Sequence, residues 1–151
     1  LDGSEFIRVT IGLCVKNDES SIRKCLESIL NQDFPHYALK LIIVDGNSVD
    51  KTLSIIKEVL LKADLKFFIF QENVGLAYAR QLAVEYAEGE YLLFVDGDMM
   101  LSSDYVTKMV RFMDNNPDVG IAGGRFKMCK LEKSSLVYKL NYLEKLVDYH
   151  F

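Results

Sequence analysis

Four short apolar runs, each ending in a polar cluster and each followed by a stretch of helical periodicity, constrain this chain more than any other feature of its sequence. The runs are Val9 to Val15, Leu39 to Val44, Lys66 to Phe70 and Tyr91 to Val95. The first ends at Lys16-Asn17-Asp18-Glu19, a polar turn with acids suited to a helix start, after which Ile22, Cys25, Leu26, Ile29 and Leu30 form one apolar stripe, with Arg23, Lys24 and Glu27 on the other side of the helix. Leu53, Ile56 and Leu60 mark a second helix to about Lys62, and Leu76, Ala79, Leu82, Ala83 and Tyr86 mark a third, stopped by Gly89. A fourth helix is predicted from Ser103 to Asp114 with Val106, Met109, Val110 and Met113 inward, ended by Asn115-Asn116-Pro117. Apolar strands alternating with amphipathic helices predict an α/β architecture around a largely parallel sheet, because parallel strands need crossovers that cover both faces. Val119 to Met128 reads as a further strand broken by Gly123-Gly124, and a last helix is expected from about Ser134. Its apolar residues, Leu136, Leu140, Leu143 and Val147 joined by Tyr138, Tyr142, Leu146 and Tyr149, surround it and anticipate cover that the chain stops short of supplying.

A chain of 151 residues is expected to bury one core. Residues 1–6 lack periodicity and include Gly3-Ser4-Glu5-Phe6, a peptide that adjacent cloning sites encode, so residues 7–151 are read as the domain. Neither a signal peptide nor an apolar run long enough to span a bilayer is expected. Cys14, Cys25 and Cys129 are odd in number and lack the close paired spacing of zinc or redox motifs, which suggests reduced thiols in a cytoplasmic protein. The formal charge of −4 and the absence of a basic run argue against binding nucleic acid.

Open parallel sheets bind ligands beyond the carboxyl ends of their strands. The clusters Lys16 to Glu19, Asp45 to Asp50, Gln71 to Gly75 and Asp96 to Asp98 all fall there and are expected to converge on one crevice. Residues two apart in an extended chain point the same way, so Asp96 and Asp98 can face one point while Gly97 admits a ligand close to the backbone. Oxygen ligands suit Mg²⁺ or Mn²⁺, which retain waters and accept substrate phosphates. The sequence has neither a G-x-x-x-x-G-K-[ST] loop nor a G-x-G-x-x-G turn, and a bound cation would supply the positive charge that a diphosphate requires. The plainer alternative is a solvated turn whose aspartates cap the fourth helix.

Four segments in order, spanning Val9 to Gly124, resemble the N-terminal half of the family 2 glycosyltransferases, inverting enzymes of the Rossmann-like GT-A fold. Cys14-Val15-Lys16-Asn17 stands at that family's Pro-Thr-Tyr-Asn type segment, followed by a stretch resembling its helix, Cys25 to Gln32. Val44-Asp45-Gly46-Asn47-Ser48-Val49-Asp50-Lys51-Thr52 is similar to its "VDDGSTDGT" segment, and Asn73 to Arg80 to its "N-x-G-x-x-x-A-R" stretch. Ala87-Glu88-Gly89-Glu90-Tyr91 through Asp98 resembles the stretch that ends in D-x-D. The resemblance implies donor-nucleotide contacts by Val15, Asn17, Asp45, Asn73, Gly75, Arg80, Asp96 and Gly97, and a metal on Asp98 with Asp96. Plainer alternatives stand beside four of these residues. Asp45 can cap the following helix, Arg80 can lie on a solvated helix face, and Asn73 with Gly75 can merely shape a turn.

Two positions depart from the family pattern. Gly46 stands where many members have a second Asp that accepts from the base, and Lys16 where a Tyr often stacks on it. The implied partner is a nucleoside-diphosphate sugar, with UDP favoured over GDP or dTDP only by the family's habits. No later segment resembles the family's acidic catalytic base, and Asp148 sits in a tyrosine-rich helical stretch poorly suited to that role. The chain is therefore expected to hold the donor site of a domain truncated at its C-terminal end. Residues 134–151 suggest a dimer contact or a membrane-surface contact, the latter at a cytoplasmic face. Two alternatives are a haloacid-dehalogenase-type phosphohydrolase using Asp96 and Asp98, and a noncatalytic nucleotide-sugar-binding module.

Overall fold

The computed structural model describes residues 6–125. Along them lie β1 (Val9–Val15), α1 (Ile22–Leu30), a single 3-10 turn (His36–Ala38) and β2 (Leu39–Asp45). There follow α2 (Thr52–Leu60), β3 (Lys66–Gln71), α3 (Leu76–Glu85), β4 (Tyr91–Asp96) and α4 (Tyr105–Asn115). The strands predicted from the four apolar runs are present and pair only in parallel, in the order β3-β2-β1-β4. Strands β2 to β4 each run one residue further than their apolar stretch, because Asp45 still pairs with Val15 and Gln71, and Asp96 with Cys14.

Side-chain alternation divides the sheet into two faces. Val9, Ile11, Leu13, Leu39, Leu41 and Ile43 pack with Ile22, Cys25, Leu26 and Ile29 of α1, Ile56 and Leu60 of α2, and Val106 and Val110 of α4. The predicted stripe of α1 is therefore the helix face that meets the sheet, and its four buried residues show no exposure. On the other face Cys14, Ile42 and Val44 meet Ala79 and Ala83 of α3. Here Gly12 matters, because a β-carbon on it would lie 3.2 Å from that of Ala83, so two small residues let helix and sheet approach closely. The placement of α3 follows from handedness. Helices α1 and α2 carry the chain from β1 outward to β3, α3 carries it back across to β4, and right-handed crossovers in opposite directions lie on opposite faces.

Three expectations change. The acids of the Lys16 to Glu19 turn do not start α1, whose N-cap is Ser21 with no acid in the first turn. Burial on both faces holds for β1 and β2 but not for β3, an edge strand on which Phe67 and Phe68 are exposed. No strand covers residues 119–125. The Val119 N–H instead closes a turn on the Asn116 carbonyl, and the Gly124 N–H donates to the Tyr105 hydroxyl, which holds this stretch over α4 and away from a ladder. The expected strand residues 126–128 and the helix from Ser134 lie outside the described residues. Among the described residues no helix is long and apolar enough to cross a membrane.

Candidate functional site

The strand order reverses at β1, so the crevice favoured for ligands opens between the carboxyl ends of β1 and β4. All four polar clusters lie at carboxyl ends of strands, and the two central ones are laced together. The Asn17 N–H donates to Ser48 Oγ (2.9 Å), and the Val49 N–H donates back to Asn17 Oδ1 (2.9 Å). The Glu19 N–H reaches Asp50 (3.2 Å), the Lys51 N–H reaches Glu19 (2.9 Å), and the Asp18 N–H reaches Thr52 Oγ1 (2.7 Å). The Gly46 N–H donates to the Val15 carbonyl (2.8 Å), which fixes the floor. Asn17 and Asn47 adopt left-handed backbone (φ 53° and 56°), a region Asn tolerates better than most residues. Hydrogen bonds from Thr52, its side chain foremost, hold the Asp50 carboxyl below its usual range.

Asp45 is fully buried at the base of this lacing. Its carboxylate accepts the Ser48 hydroxyl, the Ser48 N–H (3.1 Å) and Gln71 Nε2 (3.2 Å). It therefore shapes its own loop and does not cap α2, whose N-cap is Lys51. Beside it the methylenes of Lys16 lie across Gly46, at 3.1 Å from where a β-carbon on that glycine would stand.

At the third cluster Asn73 is exposed, and Gly75 holds φ 135° and ψ 174°, a conformation open essentially to glycine. Buried Glu72 fixes both. Its Oε2 accepts the N–H groups of Val74 (2.6 Å) and Gly75 (2.8 Å), while its own N–H donates to the Asp45 carbonyl (3.0 Å). The sequence reading passed over Glu72, although a carboxylate just ahead of an Asn-x-Gly helix start is a signal for a side chain that collects loop amides.

The tip of β4 carries the acidic turn. Gly97 is buried, and a β-carbon there would stand 2.5 Å from Asp18 Oδ2 and 3.0 Å from Val15 Cγ2, so a side chain would push the Asp18 carboxylate aside and crowd Val15. Asp96 is half exposed, with Arg80 Nη2 3.5 Å from its Oδ1, and the Arg80 guanidinium lies 5.9 Å from the Phe94 ring centre. That pair is long and solvated, worth at most about 1 kcal/mol, so Arg80 is available to another anion. Asp98 is exposed.

Beneath the turn, the Cys25 thiol is fully buried and donates to the Asp96 carbonyl (3.6 Å). Burial pushes its pKa up to about 12, reinforced by the charges of Asp18, Asp98 and Asp96. Burial likewise raises Cys14, to about 11. Both are free thiols, as expected, and Cys129 lies outside the described residues.

The acids at this tip fit a hard divalent cation in chemistry, since half-exposed Asp96 and exposed Asp98 are oxygen donors with only a glycine between them. Among the described residues no group of three or more His, Cys, Asp or Glu closes as a metal cluster, so the pair would leave most of the coordination shell to water and phosphate oxygens. An apolar cleft of about 490 Å³ between β4 and α4, lined in part by Leu92, Phe94, Met109 and Met113, includes neither Asp96 nor Asp98 in its lining.

The model of glycosyl transferase family 2 matches residues 10–148. An uncharacterised glycosyltransferase of Haemophilus influenzae is 32% identical over 142 residues, covering 93% of this chain and 55% of that protein. The crystal structure of Staphylococcus aureus TarS 1-349 in complex with UDP-GlcNAc superposes with a TM-score of 0.67 at 28% identity, over 74% of this chain and 32% of that one. The mannosyltransferase PcManGT of Pyrobaculum calidifontis, in complex with GDP-Man and Mn²⁺, gives 0.67 at 28% identity, over 72% and 32%. The chain thus spans about half the length of the first relative and about a third of each of the two structures.

Proposed function

The chain belongs to glycosyl transferase family 2, and from that premise we propose that residues 7–151 hold the donor site of an enzyme that moves a sugar from a nucleoside diphosphate to an acceptor hydroxyl with inversion. One observation carries this reading: four polar loops lie at the carboxyl ends of four parallel strands, with an acidic turn at the topological switch point. In this reading the laced loops at Val15, Asn17 and Asp45 frame the nucleoside, with Asp45 acting through the loop it shapes. Asn73 and Gly75 present backbone at the mouth, and Arg80 swings from Asp96 toward the diphosphate. Asp96 and Gly97 border the ribose and diphosphate, and Asp98 with Asp96 holds Mg²⁺ or Mn²⁺. When bound, that cation supplies Lewis-acid stabilisation to the departing diphosphate.

The residues themselves bind and orient the donor so that the anomeric carbon presents the face opposite the diphosphate. The base that deprotonates the acceptor belongs, in this proposal, to a segment beyond those that carry the donor site. Buried, protonated thiols at Cys14 and Cys25 suit the reducing interior of a cell, and we place the protein there, with residues 134–151 open to a second copy or a membrane surface. The family match favours this reading over phosphoester hydrolysis by Asp96 and Asp98.

Calorimetric titration with UDP, GDP and dTDP, each with Mn²⁺ and with chelator, is the test. Binding of at least one diphosphate that disappears on chelation is expected, and the comparison among the three identifies the base. Binding indifferent to chelator would remove the metal from the proposal, and no binding at all would reduce the chain to a noncatalytic member of its family.

A further inference from the structure

Helix α1 ends by gripping the segment that follows β4. Gln32, only 5% exposed, donates from Nε2 to the carbonyls of Ser28 (2.9 Å) and Ser102 (2.8 Å), and its Oε1 accepts the Val106 N–H (3.0 Å). One planar amide thus joins the last turn of α1 to the first turn of α4. Around it Ser28 Oγ accepts the Leu101 N–H (3.0 Å), the Asp33 N–H donates to the Ser103 carbonyl (2.8 Å), and the Thr107 hydroxyl donates to Asp33 (2.6 Å).

The two flanks of the acidic turn are held differently. On the strand side Asp96 lies in the ladder with Cys14 of β1. On the other side residues 99–104 form neither strand nor helix; beyond the Met99 and Tyr105 turn bonds and the contacts of Asp104 with Ser102 and with Lys108 of α4, their described hydrogen bonds come from α1 and the residues just after it. An irregular segment without a ladder keeps a fixed shape only where side chains bind its amides and carbonyls.

We propose that Gln32 is a positioning residue that clamps the far flank of the Asp96-Gly97-Asp98 turn, and so sets the separation at which the two carboxylates meet a cation. The clamp itself stands on the hydrogen bonds above, and its consequence for the cation rests on the donor-site reading. Glutamine suits the post because one group offers two donors and one acceptor. Glutamate keeps the acceptor and loses both donors, and methionine fills similar space with neither.

The test uses the whole chain with Gln32→Met, Gln32→Glu and a control, Arg23→Ala, which breaks the Arg23–Glu58 pair on the exposed side of the same helix. Amide exchange without ligand is followed by peptide. Gln32→Met is expected to speed exchange in residues 97–104 about tenfold relative to 91–95, a factor equal to about 1.4 kcal/mol, while the control leaves that ratio unchanged. In calorimetric titrations of UDP or GDP, the Mn²⁺ concentration giving half-maximal binding is expected to rise about tenfold in the Gln32 variants only.

Uniform exchange across both peptides, or a Mn²⁺ requirement equal to that of the control, would show that Gln32 merely supports the fold. Should Gln32→Met not fold, Gln32→Glu decides the matter by the same two measurements. Should the unaltered chain bind no nucleotide with Mn²⁺, the donor reading fails and the exchange ratio alone decides the clamp.

Discussion

The two ends of the sheet treat their acids oppositely. At the amino ends of the strands Glu88, Glu90 and Asp114 each meet a cation. Lys40, 3% exposed, donates to Glu88 (2.6 Å) and the Tyr86 carbonyl (2.7 Å), and Lys66 reaches the same carboxylate (3.1 Å). Arg8 joins Glu90 (3.2 Å) and Asp114 (2.6 Å), with the Tyr91 hydroxyl also on Asp114 (2.7 Å). At the carboxyl ends Asp45, Asp50 and Glu72 accept backbone or neutral side-chain groups instead, and among the described residues only Arg80 forms an ion pair there. Compensated charge closes one end and ties the loop after α3 beneath the sheet. Uncompensated negative charge at the other end leaves the electrostatic demand that a cation and a diphosphate can meet together.

The contrast predicts that substitutions at the two ends separate stability from binding. The largest loss is expected from Gly89→Ala. Gly89 holds φ 91°, and a β-carbon there would stand 2.6 Å from the Arg8 carbonyl oxygen, so the change should cost roughly 3 kcal/mol in urea unfolding. Nucleotide affinity of the remaining folded chain should stay unchanged.

Asp98→Asn should do the reverse, weakening Mn²⁺-dependent UDP or GDP binding on the order of 100-fold. Because that side chain is exposed, its melting temperature should stay within a degree or two of the parent, equivalent to less than about 0.5 kcal/mol. Equal losses in both measurements would break the division between ends.

Lys40→Met is expected to cost about 2 kcal/mol, since the Tyr86 carbonyl loses its charged donor, while half-exposed Glu88 keeps Lys66 and water. Binding should again be spared.

The smallest effect is a pH dependence at the closed end. Hydrogen bonds from Lys40, then Lys66, hold the Glu88 carboxyl below its usual range. A depressed folded value means that Glu88 contributes fully above the unfolded pKa of about 4.3. That contribution disappears as pH falls through the lower folded value. Melting curves between about pH 6 and 3 should therefore decline less steeply for Glu88→Gln than for the parent, and parallel curves would show that the pair adds nothing.

How much was legible in the sequence differs by kind of residue. Strand β1 matched its apolar run end to end, and the α1 stripe is the face that meets the sheet, because burial repeats with the local period. The stretch from Val119 misled, since its composition suits a strand while its glycine and Asn116 turn hold it elsewhere. Lys40 looks like an interruption in an apolar strand until its partner 48 residues away comes into place. Asp45 read as a donor contact or a helix cap, and its bonds with Ser48 and Gln71 became visible only in the fold.

Strand and helix identities, the polar clusters at strand ends and the family resemblance were all determined by the sequence alone, because local periodicity and motif order survive without coordinates. Which loops interlock, which face α3 covers, how closely Asp18 approaches Gly97, and how Gln32 reaches Ser102 were decided only by tertiary structure. Those contacts join residues dozens of positions apart, and a hydrogen bond or a steric limit exists only once the fold has brought both partners to the same place.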